Sequence, residues 1–184
     1  MKRVSVIGAG SWGTAFALHL GEINLKPFLW VREEEVYDSL IHYRENKTFL
    51  PGEILPPGVR YTQDLATAVS SADFLFVAVP SPYCRAIYQE MAPHLSSSQT
   101  VISLTKGIEQ KTLKRMTEIM AEVFTADSKP HLAVLSGPSF AVEVARRHPT
   151  AVVVAAEKLE QAKRIQHLIS LSLIHISEPT RLGM

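Results

Sequence analysis

The sequence has 184 residues, of which 46% are hydrophobic and 20% are charged. This length suits one domain with a sizeable core, and a formal net charge of +1 argues against a nucleic-acid or membrane-surface protein, which would carry a basic excess. A single cysteine, Cys84, excludes an internal disulfide framework and is compatible with a reducing compartment.

No apolar run approaches the roughly 18 residues of a membrane-spanning helix, and the first apolar run is too short for a signal peptide. We therefore expect a cytoplasmic protein without membrane insertion.

The chain begins with a strand-like run, a glycine-rich turn and a helical pattern. Val4–Ile7 is apolar and β-branched, three glycines follow within residues 8–13, and an apolar-periodic segment starts at Thr14. This order is typical of the first βα turn of a dinucleotide-binding fold, where the glycines permit a tight turn, close approach to a pyrophosphate and helix packing. The helix N-terminus would offer N–H groups to the phosphates. The alternative is a structural turn without a ligand. Gly21 stands where a C-terminal cap of this helix is expected.

The rest of the chain alternates between strand and helix patterns. Asp64 is expected to cap a short helix that runs to Ala72, and Pro51–Gly58 is expected to be an irregular loop. The alternation predicts an α/β, Rossmann-like, doubly wound and mainly parallel sheet with helices on both faces. The further strands are predicted at Pro27–Val31, Phe74–Val79, Thr100–Leu104, Leu132–Leu135 and Ala151–Ala155, and the longer helices at Tyr83–His94, Lys111–Phe124 and Lys158–Ile169.

Chemically distinctive residues follow five of the predicted strands. Open α/β sheets bind ligands in the crevice outside the carboxyl ends of their strands, so loops that converge there indicate a nucleotide site. In strand order these residues are Gly8 and Gly10, then Arg32, then Pro80-Ser81-Pro82, then Lys106-Gly107, and then Ser136-Gly137-Pro138-Ser139.

Arg32 comes directly after the second predicted strand, at the position that distinguishes NAD from NADP. A carboxylate there would bind the ribose 2′-hydroxyl of NAD, whereas a guanidinium can pair with the 2′-phosphate of NADP. NADP is therefore favoured over NAD. The acidic run 33–35 would repel a 2′-phosphate, although acidic residues are also ordinary in the first turn of a helix. The alternative for Arg32 is a solvated surface charge.

Two further positions have both a functional and a structural interpretation. Lys106 can hold a substrate phosphate or polarise a carbonyl, or it is one more surface lysine. Ser139 can help to bind an anion, or it is the N-cap of the helical segment that follows it. The seven histidines show no ligand spacing, so no metal site is predicted, and Cys84 is expected to be structural.

In combination, these pieces resemble the bacterial NAD(P)-dependent sn-glycerol-3-phosphate dehydrogenase family. They occur in family order over about residues 1–169, with Phe49 standing where the family more often has tyrosine. The matching pieces are Gly8-Ala9-Gly10-Ser11-Trp12-Gly13-Thr14-Ala15, Trp30-Val31-Arg32, Asn46-Lys47-Thr48-Phe49-Leu50-Pro51-Gly52, Ala78-Val79-Pro80-Ser81, Lys106-Gly107-Ile108-Glu109 and Ser136-Gly137-Pro138-Ser139-Phe140-Ala141-Val142-Glu143.

The resemblance implies a role for each matching site residue. The glycines Gly8, Gly10 and Gly13 would form the cofactor turn. Ser11, Trp12, Arg32, Lys106 and Ala141 would contact the cofactor, and Lys106, Gly137 and Ser139 would contact glycerol phosphate. The implied reaction is hydride transfer between C2 of sn-glycerol 3-phosphate and a nicotinamide, which would mainly reduce dihydroxyacetone phosphate for phospholipid synthesis.

The resemblance also bears on domain organisation. Residues 1–169 would form the dinucleotide-binding domain, and residues 170–184 a tail without family likeness. Family members continue into a helical domain that carries the proton-transferring lysine, so no catalytic residue is assigned in this chain, which is expected to turn over little or nothing. A homodimer is expected of the full-length enzyme. The alternatives are another two-domain dehydrogenase of the 3-hydroxyacid or ketopantoate type, and a non-catalytic dinucleotide-binding module.

Overall fold

A computed structural model describes residues 2–125, 129–170 and 174–181. The parts of the predicted tail at 171–173 and 182–184 lie outside the described residues. The strands are β1 (Val4–Ile7), β2 (Phe28–Trp30), β3 (Glu45–Asn46), β4 (Leu50–Ile54), β5 (Arg60–Thr62), β6 (Phe74–Val77), β7 (Thr100–Ser103), β8 (His131–Ser136), β9 (Thr150–Ala156) and β10 (Ile174–Arg181). The helices are α1 (Ser11–Glu22), α2 (Glu34–Tyr43), α3 (Leu65–Ser70), α4 (Ser81–Met91) with a 3₁₀ turn at Ala92–His94, α5 (Met116–Val123), α6 (Ala141–Ala145) and α7 (Leu159–Ile169).

Eight of these strands form one sheet in the order β10-β9-β8-β7-β6-β1-β2-β5. Every neighbouring pair is parallel except β8 and β9, which are antiparallel. In the centre of the sheet, Val6 of β1 lies opposite Leu29 on one side and Phe76 on the other. The chain departs from β1 toward β2 and later returns to β6 on its other side, so the β1–β6 border is the switch point where such sheets bind ligands. The predicted mainly parallel, doubly wound sheet is confirmed.

Helices cover both faces of the sheet, and each face has its own apolar core. Successive side chains of a strand point to opposite faces, so Val6 joins the core beneath α1 and α7, while Ile7 joins the core beneath α3, α4 and α5. Phe16 of α1 is buried in the first core and Tyr88 of α4 in the second. Because the central strands are buried on both sides, they are continuous apolar runs rather than alternating ones.

Gly21 is not a helix cap, which corrects the sequence prediction. Helix α1 continues to Glu22, and Asn24 takes the left-handed conformation after it, with φ of 61°. Gly21 is buried, and a Cβ there would lie 2.7 Å from Val59 Cγ2. The glycine is therefore required by close packing against the segment before β5.

Two other element predictions need correction. The helix expected at Lys111–Phe124 begins only at Met116, because Leu113 has φ of 58° and is 70% exposed; at the helix start, the Glu118 carboxylate accepts the Arg115 N–H at 2.8 Å. The expected irregular loop at Pro51–Gly58 is partly ordered, since β4 pairs antiparallel with β3 to form a separate hairpin. The cap at Asp64 is confirmed: its carboxylate accepts the Ala66 N–H at 3.0 Å, although α3 ends at Ser70.

The backbone of residues 174–181 forms β10, which runs parallel to β9 at the edge of the sheet. This strand falls within the region predicted to be a tail. The division into residues 1–169 and 170–184 stays a prediction.

Candidate dinucleotide-binding site

The glycine turn, residues 8–13, has the geometry of a phosphate cradle. Gly8 has φ of 107°, which favours glycine, and its N–H donates to Trp30 O at 3.2 Å. A Cβ at Gly13 would overlap the Gly8 carbonyl oxygen, so that glycine is required for α1 to pack on β1. A Cβ at Gly10 would meet no atom within 4 Å. The open side of Gly10 leaves room for a ligand, and the three glycines fit the three roles that a dinucleotide turn requires.

A cleft of about 400 Å³ opens beside this turn, at the carboxyl ends of β1, β2 and β6. It brings together Gly8, Gly10 and Arg32, which belong to separate parts of the sequence. We call it the β1–β6 cleft; its lining is Gly8, Ala9, Gly10, Trp30, Arg32, Glu33, Phe49, Ala78, Val79, Pro80, Tyr83 and Ile87.

Lys106 lies in a second cluster, with the residues expected to bind the substrate. Its Nζ donates to Gly137 O at 3.2 Å and to Ser139 Oγ at 3.3 Å, and lies 5.9 Å from the centre of the Trp12 ring. A Cβ at Gly137, whose φ is 147°, would lie 2.6 Å from Ala151 O. Glycine is therefore required there by the close approach of β9. Trp12 is half-buried in the first turn of α1, so the lysine cluster adjoins the helix that starts at the glycine turn.

Lys106 does not line the β1–β6 cleft. It borders a separate cavity of about 390 Å³, with Gly107 and the side chains at the ends of β7 and β8. Arg32 lies in the first cleft, so the structure divides the predicted site residues into two groups. Trp12 connects the two groups, since it belongs to the glycine turn and its ring centre lies 5.9 Å from Lys106 Nζ.

Ser139 is not a helix cap, which corrects its structural interpretation. The N-cap of α6 is Phe140, without a side-chain cap bond, and the buried Ser139 Oγ instead contacts Lys106 Nζ and donates to Gly137 O at 3.4 Å. Ala141 is the first residue of α6 and packs half-buried against the α1 side of the core, whereas Ser11 is exposed at the start of α1.

The comparison with known proteins agrees with this geometry. Residues 3–162 match the family described as "NAD-dependent glycerol-3-phosphate dehydrogenase N-terminus". The chain belongs to this family. It is 41% identical over 171 residues to the glycerol-3-phosphate dehydrogenase [NAD(P)+] of Koribacter versatilis, covering 92% of this chain and 51% of that protein. It is 42% identical over 164 residues to the same enzyme of Streptomyces griseus, covering 89% and 48%.

Solved structures lead to the same family. A glycerol-3-phosphate dehydrogenase from Coxiella burnetii matches with a TM-score of 0.89 and 27% identity, over 96% of this chain and 53% of that one. An imine reductase from Myxococcus stipitatus matches with a TM-score of 0.70 but 16% identity, which shows a shared fold alone. The chain spans about half the length of the curated relatives it matches.

Two contacts of this dehydrogenase-family domain, one buried and one partly buried, have no assigned role in the sequence analysis. Asn46 donates to Ala9 O of the glycine turn at 2.7 Å. Arg85 of α4 pairs with Glu109, three residues after Lys106, and its hydrogen bonds lower the pKa of Glu109 to about 2. Asn46 and Glu109 each lie in a motif that carries the family resemblance, so the sequence marked both residues. It did not indicate their contacts, because these join segments far apart in sequence.

Cys84 and His19 are two buried titratable side chains of the family domain. Burial raises the pKa of the Cys84 thiol, whose Sγ lies 3.3 Å from Val79 O, so a reactive thiolate is disfavoured. Burial lowers the pKa of His19, whose Nε2 lies 2.8 Å from Ile169 O. The described residues contain no cluster of three potential metal ligands. Within the same residues, no helix has the length and apolar character to cross a membrane.

Proposed function

We propose that this chain binds NADP or NAD in the β1–β6 cleft and forms the cofactor half of a dehydrogenase that interconverts sn-glycerol 3-phosphate and dihydroxyacetone phosphate. The observation that carries the proposal is the position of Lys106. Its ammonium lies between Gly137 and Ser139 and next to Trp12, in the first turn of the helix that begins at the glycine turn. This arrangement supports a phosphate or carbonyl ligand directly beside a dinucleotide.

Each part of the site has a physical role in this proposal. The N-terminus of α1 has free N–H groups and a positive dipole, which would bind the cofactor pyrophosphate above Gly10. Arg32, which follows β2 and lines the same cleft, would pair with the 2′-phosphate of NADP. When bound, the nicotinamide ring would accept or deliver the hydride.

Lys106 would hold the substrate rather than exchange its proton. Its ammonium already has two neutral oxygen partners, the Gly137 carbonyl and the Ser139 hydroxyl. Charged phosphate oxygens form stronger hydrogen bonds with an ammonium than neutral oxygens do. The same hydroxyl and the Gly137 segment would then complete the contacts to the substrate, which orients it against the cofactor.

The proton-transferring group is a separate question. By family resemblance it is a lysine of the helical domain, so we assign no catalytic residue in this chain. A cytoplasmic location and a homodimer of the full-length enzyme are further predictions that follow from the family.

Titration calorimetry with NADPH and NADH tests the proposal on the chain itself. We expect saturable binding of at least one dinucleotide, with NADPH binding weakened by Arg32→Ala in the lining of the cleft and unchanged by Lys163→Ala, which removes an exposed positive charge on α7. Absence of binding by a folded chain would refute the assignment. A non-catalytic binding module would also bind the dinucleotide, but a full-length version would show no dependence of phosphate-substrate affinity on Lys106.

A further inference from the structure

We propose that Asn46 is a positioning residue of the glycine turn: it holds the Ala9 carbonyl inside the protein and thereby directs the Gly10 N–H toward the β1–β6 cleft. The inference rests on the proposed function, because it takes a dinucleotide as the ligand of that cleft. Asn46 opens the motif at 46–52, for which that function alone gives no role.

The side chain of Asn46 is fully buried, with 0% of its surface exposed. Its Nδ2 donates to Ala9 O at 2.7 Å and to Thr14 Oγ1 at 2.8 Å. Thr14 Oγ1 in turn donates to Ala9 O at 3.2 Å. The Ala9 carbonyl thus accepts two hydrogen bonds from buried side chains. Buried polar groups that lose their partners are costly, so this carbonyl is held in one orientation.

The orientation of the Ala9 carbonyl determines that of the next amide. A trans peptide is planar, and its C=O and N–H point in opposite directions. The bond between Ala9 and Gly10 is trans, since residues 2–125 contain no cis peptide. With Ala9 O directed inward to Asn46, the Gly10 N–H points outward, and Gly10 lines the cleft.

Glycine makes this anchor necessary. Because Gly10 has no Cβ, the peptide before it can rotate at low steric cost. The rotated state would present a carbonyl oxygen to the phosphates in place of an N–H donor. Asn46 disfavours that state before the ligand arrives, so the cofactor does not have to reorganise the turn.

Asn46 also connects the turn to the β3–β4 hairpin. Its Oδ1 accepts the N–H of Phe49 at 2.9 Å, and Phe49 lines the same cleft as Gly10. A second anchor of the hairpin is independent of the turn: Ser39 Oγ of α2 donates to Glu45 O at 2.7 Å. Asn46 therefore couples the conformation of the glycine turn to the conformation of the backbone at Phe49. A ligand that orders one of these segments also orders the other, because such coupling is reciprocal.

The first test is NADPH titration of the 184-residue chain by calorimetry. Asn46→Asp keeps an oxygen acceptor for the Phe49 amide but removes both donors to the turn. We expect its NADPH affinity to fall roughly tenfold to a hundredfold. Ser39→Ala, which loosens the same hairpin without touching the turn, should stay within about twofold of wild type. An unchanged affinity in a folded Asn46→Asp chain, or an equal loss in Ser39→Ala, would overturn the proposal.

A second measurement separates this inference from the proposed function. The ¹⁵N resonance of Gly10 in the free chain reports the hydrogen bonds of the carbonyl before it, with no ligand needed. Asn46→Asp should move this resonance and Ser39→Ala should not. If wild type binds no NADPH yet Gly10 moves, the cofactor assignment fails while the positioning contact stands. An unmoved Gly10 resonance refutes the contact.

Hydrogen exchange of the wild-type chain tests the inference even if the Asn46→Asp variant does not fold. In wild type, saturating NADPH should slow exchange of the Phe49 amide through the coupling described above. The Ala66 amide, which donates to Asp64 Oδ1 at 3.0 Å on α3, is the matched control and should not respond. Equal protection of Phe49 with and without NADPH would contradict the coupling.

Discussion

Arg85 and Glu109 form a bidentate ion pair that anchors the segment containing Lys106. Arg85 Nε lies 2.7 Å from Glu109 Oε1, and Nη2 lies 2.8 Å from Oε2. The third nitrogen, Nη1, reaches Glu122 of α5 at 3.0 Å. The guanidinium therefore joins α4, α5 and the loop at 105–115, which we call the lysine loop. Arg85 is chemically suited to this role because its planar fork matches both carboxylate oxygens.

The ion pair predicts a pH dependence of stability. Arg85 lowers the pKa of Glu109 from 4.5 to about 2, so the folded state favours the ionised carboxylate. This stabilisation is complete above the unfolded pKa and is lost as the pH falls through the folded value, between about 4.5 and 2. Glu109→Gln should lower the melting temperature at pH 7, and its difference from wild type should shrink below pH 4.5. Thermal melts from pH 7 to pH 3 measure this. Glu90→Gln, an exposed change on α4, is the control, and a pH-independent difference would contradict the prediction.

The two glycines at the start of α1 should separate stability from binding. Gly13→Ala places a Cβ on the Gly8 carbonyl oxygen, a backbone atom that cannot move aside cheaply. We expect a loss of about 3 kcal/mol or more in the free energy of unfolding. Gly10→Ala meets no atom within 4 Å and has an ordinary φ of −68°. Its stability should change by less than about 0.5 kcal/mol, while its new methyl group occupies the space next to the pyrophosphate and lowers NADPH affinity. Denaturant unfolding and calorimetry on both variants measure the contrast, and an equal loss of stability would refute it.

The sequence predicted the fold well because its strands are short, apolar and separated by helical periodicity. It placed the central strands within a residue or two, since the burial of both faces makes these strands continuous apolar runs. It was wrong about Leu113, whose helical spacing from Met116 is coincidental. Propensity and periodicity cannot show that a backbone residue takes the left-handed conformation outside a helix.

The candidate site was predictable to a smaller extent. Glycine spacing and strand ends predicted that Gly10, Arg32 and Lys106 follow strands at one edge of the sheet, because a parallel sheet brings the carboxyl ends of its strands together; Lys106 nevertheless borders a separate cavity from the other two. The contacts of Asn46 with Ala9 and of Ser139 with Lys106 were not predictable, since each joins residues about 30 or more positions apart. Only tertiary packing determines such pairs. For Ser139, a local rule for helix caps gave a plausible but wrong structural role.

His19 should make the fold sensitive to mild acid. Its Nε2 donates to the Ile169 carbonyl, a bond that both the neutral and the charged ring can make, but burial disfavours the charged ring and lowers the pKa of His19 below 6.5. The unfolded chain therefore takes up the proton more readily, and stability falls as the pH drops below about 6.5. His19→Gln should flatten the dependence of the melting temperature between pH 7 and pH 5. His42→Gln on the exposed face of α2 should preserve it, and an equal flattening in both variants would refute this role of His19.

Arg32 should determine the preference between the two dinucleotides. It lines the β1–β6 cleft together with Glu33, and the guanidinium is the only group in that lining that carries a positive charge. NADP differs from NAD by one 2′-phosphate, so removal of the guanidinium should affect one ligand and not the other. Arg32→Ala should weaken NADPH binding by about tenfold or more, with little change for NADH.

Arg60 supplies the matched control for this change. It lies on β5, beside β2, and its guanidinium stacks on the Phe28 ring at 3.8 Å, outside the lining of the cleft. Arg60→Ala removes the same charge from a neighbouring strand and should leave the NADPH to NADH affinity ratio unchanged. If Arg32→Ala lowers the affinities for NADPH and NADH equally, the positive charge of Arg32 attracts both dinucleotides and does not distinguish the 2′-phosphate. If neither affinity changes, Arg32 does not bind the 2′-phosphate and the prediction is refuted.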